Sequence, residues 1–315
     1  MNIQSDSDME VAPKPQADLE RWSYEAAFAR NRGLVSEPEQ ARLRKATVAI
    51  AGLGGNGGGY ALTLARMGVG GFRLSDPDSF AVVNSNRQMG AMGSSFGQNK
   101  AEVLARMVLD INPEARVWTS RAGVDAGNVD TFLEGVDLVL DSIDFFSLEA
   151  RQILLASARA KGLWTLLSAP LGFSVAFLAF SPTGMSFDDY MDLRPGMTRE
   201  AQLIAFLVGL APRATHQAYL DLSKVDVRSG AGPSSAAACQ LCSGVVGVAS
   251  LAVLLGRSLP LPVPAFSQFD PYRGLYRHGR LRWGNRGPLQ RIKRRVVTRL
   301  VKRLGLIPAE PLETT

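Results

Sequence analysis

The chain is 315 residues long, 46% apolar and 20% charged, the balance of a globular protein that buries a sizeable core. Two cysteines and two histidines exclude a disulfide framework, and they fit a reducing, cytoplasmic compartment. The net charge of +6 is unevenly spread: 12 of the 35 Lys/Arg and none of the 29 Asp/Glu lie between Tyr272 and Ala309. A mildly acidic body therefore carries a strongly basic tail.

Residues 1 to 20 are polar, acidic and interrupted by Pro13 and Pro15, and are expected to be disordered. The N-terminus lacks the basic-then-apolar layout of a secretory signal. Arg21 to Arg44 reads as helical pieces around the Gly33-Leu34-Val35 turn. The apolar run Thr47 to Ala51 is a strand. It leads through Gly52-Leu53-Gly54-Gly55-Asn56-Gly57 into a helix beginning near Tyr60. Phe72 to Ser75 is a second strand, ending at Asp76-Pro77-Asp78. An Asn-, Gly- and Ser-rich stretch from Phe80 to Asn99 precedes a helix from Lys100 to Asp110, which Asn112-Pro113 stops.

Val117 to Thr119 is a short strand. Leu138 to Asp141 is a buried one that ends at Ser142-Ile143-Asp144. A helix over Leu148 to Lys161 and strands over Trp164 to Leu167 and Ser174 to Phe180 follow. Alternation of strand and helix predicts an α/β fold, a Rossmann-like and mostly parallel sheet with helices on both faces. Ligands in such sheets sit beyond the carboxyl ends of the strands. Gly52, Asp76 and the Asp141 to Asp144 turn all fall on that rim.

Ser229 to Gly256 is uncharged. Only Val245 to Leu255 is steadily apolar, which is short of a membrane span and predicts a buried helix. Gly184 to Gly232 is loosely patterned and reads as a lid or partner-binding insertion.

The glycine turn suits a phosphate. Gly52, Gly54, Gly55 and Gly57 let the backbone approach where a side chain would intrude, and the following helix presents unpaired N–H groups. Asp76 lies about 20 residues on, where an acid suits ribose hydroxyls. These features alone leave NAD, FAD and ATP open. Arg87 and Lys100 are two cations after the second strand, more than a dinucleotide requires. They suit charge that builds on a nucleotide phosphate during transfer. Asp144 suits a magnesium ion, which takes one or two carboxylates plus phosphate oxygens.

The glycine motif, Asp76-x-Asp78, Asn84-x-x-Arg87-Gln88, the Lys100 helix and Asp141-x-x-Asp144 occur in that order. In this the chain resembles the ThiF/MoeB family, which includes the ubiquitin-activating enzymes, over Tyr24 to Gly256. The resemblance implies an ATP- and Mg2+-dependent adenylyltransferase, usually a homodimer. Such an enzyme converts a carboxylate into an acyl-adenylate and releases pyrophosphate. The carboxylate would be a ubiquitin-like protein C-terminus, a peptide, a small acid or a modified tRNA base.

By position the resemblance puts Gly55 and Asn84 with Arg87 on the phosphates, Asp76 on the ribose and Lys100 on the α-phosphate. Asp144 would hold the metal, and Arg30 would reach into the neighbouring protomer's site. The chain departs from the family in two places. Cys239-Gln240-Leu241-Cys242 is half of a two-pair zinc site, so zinc is not expected, and no further cysteine is present for a thioester. Phe145 stands where an Asn usually follows the metal acid. An NAD/FAD oxidoreductase or a catalytically degenerate scaffold are the rival readings.

The ordered body is expected over residues 21 to 265, with a basic extension over 266 to 315. In the extension Leu289, Ile292, Val296, Leu300 and Leu304 recur at helical spacing, opposite most of the arginines. Such a helix either docks its apolar side on the acidic body or a dimer partner, or lies on an anionic membrane surface, or holds RNA.

Overall fold

The computed structural model describes residues 21–221, 232–258 and 262–304. The N-terminal segment expected to be disordered lies outside them. Eight strands form one sheet in the order β3-β2-β1-β4-β5-β6-β7-β8. β1 (Thr47–Ala51), β2 (Gly71–Ser75), β3 (Arg116–Ser120), β4 (Leu138–Asp141) and β5 (Trp164–Leu171) pair in parallel. β6 (Ser174–Phe180), β7 (Ala265–Asp270) and β8 (Leu275–Arg280) add to it antiparallel.

Strand alternation builds two cores. On β1, Val48 and Ile50 face one side and Ala49 and Ala51 the other, all fully buried. The first side is covered by α3 (Gly57–Arg66), α4 (Lys100–Ile111) and α9 (Ala236–Leu255), through Tyr60, Leu64, Leu104, Val108 and Val246. The second is covered by α5 (Val129–Phe132), α6 (Leu148–Ala160), α7 (Phe187–Met191) and α8 (Arg199–Leu210). Burial on both faces is why the parallel strands read as unbroken apolar runs. α1 (Tyr24–Ala27) and α2 (Glu37–Lys45) close the end near the chain's start. α9 is long and apolar enough to cross a membrane, yet it packs along α3, β5 and β6.

Two readings of chain organisation change. The stretch read as a lid carries α7 and α8, and Phe187, Tyr190, Leu203 and Phe206 are buried in the second core. These apolar positions are spaced for a packed helix, and a lid would leave them in water. Residues 222–231 of that stretch lie outside the described ones. The extension from 266 onward does not stand apart either. β7 and β8 continue the sheet, and only α10 (Pro288–Leu304) remains as an appended helix.

α10 packs on α8 through polar staples. Asn285 is fully buried and donates to the Met191 and Ala205 carbonyls at 2.9 and 2.6 Å. Gln290 donates to Asn285 Oδ1 at 3.0 Å and to the Val208 carbonyl at 3.2 Å. Arg294 pairs with buried Asp192 at 2.7 Å, and Lys293 donates to the Pro212 carbonyl at 2.6 Å.

Candidate functional site

The glycine turn sits at the carboxyl ends of β1 and β4. Gly52 has φ +83°, and a Cβ there would lie 2.3 Å from the Ser142 carbonyl oxygen. Gly57 opens α3, and a Cβ on it would lie 1.9 Å from the Gly52 oxygen. Both positions therefore demand glycine, and they set the turn's shape. The N–H groups of Gly54, Gly55 and Asn56 make no hydrogen bond among the described residues. They point a partial positive charge outward from the helix start. The turn is pinned to β5 by Asn56 Nδ2, which donates to the Ser168 carbonyl at 3.0 Å, and by the Tyr60 hydroxyl, 2.6 Å from Ser168 Oγ.

The loop after β2 folds over this turn. Buried Phe80 anchors it, its N–H on the Gln98 carbonyl at 2.9 Å. Asn84 accepts from Ala81 N at 2.9 Å through Oδ1, so its side chain holds the loop. That local role was not visible in the sequence. A Cβ on Gly55 would meet Arg87 Cγ at 3.7 Å, and one on Gly54 would meet Gln88 Nε2 at 3.5 Å. The Arg87 stem thus lies against the glycine turn. Its guanidinium is exposed and, among the described residues, bonded only to Asn86 Oδ1 at 2.8 Å and the Val83 carbonyl at 3.2 Å, with no carboxylate.

Asp76 is buried beside the turn. One oxygen accepts from Leu53 N at 2.6 Å and the other from Asp78 N at 2.9 Å. Burial raises its pKa, while the Lys100 charge and those two N–H bonds pull the other way. Lys100 opens α4, where Asn99 caps the helix and also donates to the Asp76 and Asp78 carbonyls at 3.1 Å. The Lys100 ammonium is buried and lies 2.8 Å from the more exposed Asp78 carboxylate.

On the other side of the turn, Asp144 is exposed and accepts from Phe146 N at 2.9 Å. The sequence reading missed Arg151. It reaches from α6 with Nε 2.7 Å from buried Asp141 Oδ2, and donates to the Ile143 carbonyl and, at 3.3 Å, to that of Asp144. Its guanidinium lies 4.5 Å from the centre of the Phe206 ring. Phe145 packs on the same ring at 5.1 Å. Arg151 therefore clamps the turn that carries Asp144.

Arg30 is not brought to these residues. It is exposed on the 3-10 turn Ala29–Asn31, where the neighbouring Asn31 side chain donates to the Met67 carbonyl beyond the far end of α3. Cys239 and Cys242 lie one turn apart on the buried side of α9, and a Cβ on Gly55 would meet Cys239 Sγ at 2.8 Å. Burial raises the pKa of both thiols, which leaves them poor nucleophiles.

The turn, the free N–H groups and two cations form a cradle for a polyphosphate, with Asp76 beside it. A nucleotide triphosphate fits this set. Asp144 is an exposed carboxylate there with no ion pair among the described residues, as a magnesium site shared with phosphate oxygens requires.

The chain is 37% identical over 123 residues to the tRNA threonylcarbamoyladenosine dehydratase of Haemophilus influenzae, covering 39% of this chain and 47% of that one. It is 37% identical over 132 residues to the ubiquitin-like modifier-activating enzyme 5 of Drosophila persimilis, covering 38% and 34%. The chain thus spans less than half the length of these curated relatives. Among solved structures it resembles E. coli MccB with SeMet MccA, with TM-score 0.64, 18% identity and coverage of 85% of this chain and 75% of that one. That likeness is one of fold. The model of the ThiF family matches residues 28–285, most of the body described above, and the chain belongs to the ThiF family.

Proposed function

We propose that the protein is an ATP- and Mg2+-dependent adenylyltransferase that activates a carboxylate. The observation that carries this reading is the Arg87 stem lying against the glycine turn, its guanidinium meeting no carboxylate among the described residues, with Lys100 and Asp76 on the same rim. In the proposed reaction the carboxylate oxygen attacks the α-phosphorus of ATP. The α–β bridging bond breaks, and an acyl-adenylate and pyrophosphate result. Magnesium would neutralise phosphate charge.

The chain's own groups place and polarise the reactants. The turn N–H groups hold the phosphates, Asp76 orients the ribose, and Arg87 and Lys100 stabilise charge developing on the transferring group. No side chain acts as nucleophile. The resemblance to the tRNA dehydratases, at 36–38% identity, favours a carboxylate or carbamoyl-amino acid on RNA as acceptor over a protein C-terminus. The MccB complexes, which contain MccA, keep a peptide acceptor in view.

A homodimer is part of the proposal, with Arg30 of one protomer completing the site of the other. Arg30 is exposed far from its own glycine turn, and Leu34 and Val248 are 76% and 69% exposed. Thermal melting tests the nucleotide: Mg-ATP is expected to raise the midpoint and NAD(H) to leave it unchanged. The opposite ranking favours an oxidoreductase. Sedimentation under the same conditions tests the assembly, and a monomer there removes the role given to Arg30.

A further inference from the structure

α10 meets the body by an unexpected face. Gln290 and Val301 are buried against it, and Lys293 and Arg294 are tied inward. Leu289, Ile292, Val296 and Leu300, four of the apolar positions that the sequence offered either for docking or for a membrane surface, point away from the body. They are 74%, 55%, 56% and 37% exposed, in that order. Steps of three, four and four residues place them in one stripe along the helix.

The surroundings of the stripe are cationic. α10 holds seven Lys/Arg and no acid. Arg295 and Arg299 run along one edge of the stripe, and neither forms an ion pair among the described residues. Four aliphatic side chains in water with unpaired arginines beside them match a partner that is apolar below an anionic surface.

We propose that α10 is an interfacial anchor that lays this stripe into an anionic lipid bilayer, the arginines resting among the headgroups. This role is separate from the nucleotide site and stands whether or not that site adenylates. A nucleic acid would engage the arginines but leave the aliphatic stripe in water. A second copy docked through this face would bring two sets of unpaired cations together, with no acid on either helix to meet them.

The test is flotation of the full chain with vesicles of phosphatidylcholine alone or mixed with phosphatidylglycerol. The protein is expected to float with the mixed vesicles and to remain below with the neutral ones. The pair Ile292→Asp and Val296→Asp is expected to cut the floated fraction by about tenfold. Both residues are exposed, so the melting midpoint should hold. Arg295→Gln with Arg299→Gln should shift release to lower salt.

Failure to float with mixed vesicles overturns the proposal, as does flotation that survives the aspartate pair. Retention of an RNA duplex that depends on the arginines, but not on Ile292 and Val296, would assign the helix to RNA instead. A dimer that the aspartate pair dissociates would assign the face to a second copy.

Discussion

Arg87→Ala is expected to lower acceptor-dependent ATP–pyrophosphate exchange by about 10²–10³-fold, and Lys100→Met to do the same. The magnitude is what removal of one donor to a developing phosphoryl or acyl oxyanion costs when no other group moves into its place. Among the described residues Arg87 bonds only to its own loop and meets no carboxylate, so its loss should leave the melting midpoint unchanged. Methionine is chosen at 100 because the Lys100 stem is buried and its shape needs to stay filled.

The competing explanation for Lys100 is purely structural, since it pairs with Asp78 at 2.8 Å. Asp78→Asn separates the two. Asp78 is 66% exposed in its side chain but Lys100 only 7%, so the melting midpoint of Asp78→Asn is followed beside its rate, and the rate is compared where the protein is folded. If Lys100 acts on the nucleotide, Asp78→Asn keeps most of the exchange rate while Lys100→Met lowers it by about 10²–10³-fold. Equal losses in the two variants would reduce Lys100 to a partner of Asp78. Unchanged exchange in Arg87→Ala would remove the adenylation reading of the rim.

Much of this rim was legible because its chemistry is local. Gly52 and Gly57 follow a strand and open a helix within six residues, and Asp76 follows the next strand. Spacing alone puts them at one edge of a parallel sheet. Arg151 was not legible for the opposite reason. It lies inside α6 among polar and small residues and reads as a solvated helix position. Only the fold brings it 2.7 Å from Asp141 and onto Phe206, which is distant in sequence.

Asn285 hides in the same way. A polar residue between Gly284 and Arg286 looks like loop, yet it is buried and satisfies two carbonyls of other elements. For α10 the periodicity was right about which residues share a face. It could not say which face docks, because polar staples through Asn285, Gln290 and Asp192 outcompeted apolar burial. The last two strands, β7 and β8, escaped for a related reason. Their mixed polar composition lacks the double-sided burial that marks the parallel strands.

Arg151→Ala is expected to destabilise the protein by about 3–5 kcal/mol, the cost of breaking a buried pair and leaving one charge behind. Arg151 and Asp141 are 4% and 0% exposed in their side chains. Once the guanidinium is gone, Asp141 keeps its bond from Ile143 N at 3.0 Å but loses its counter-charge. The Ile143 and Asp144 carbonyls also lose a donor. Arg151→Met combined with Asp141→Asn removes both charges and keeps volume, so it should recover most of that loss in urea unfolding. A double variant no more stable than Arg151→Ala would show that packing on Phe206, rather than charge pairing, was the main contribution. The catalytic consequence should persist in the double variant. Asp144 would still be present, but its turn would be unclamped, and exchange should need more Mg2+ to reach half its maximal rate. Asp144→Ala should lose the exchange while keeping wild-type stability, because among the described residues that side chain accepts only from Phe146 N in an exposed position. A clamp variant with full stability restored and an unchanged Mg2+ requirement would separate Arg151 from the metal site altogether.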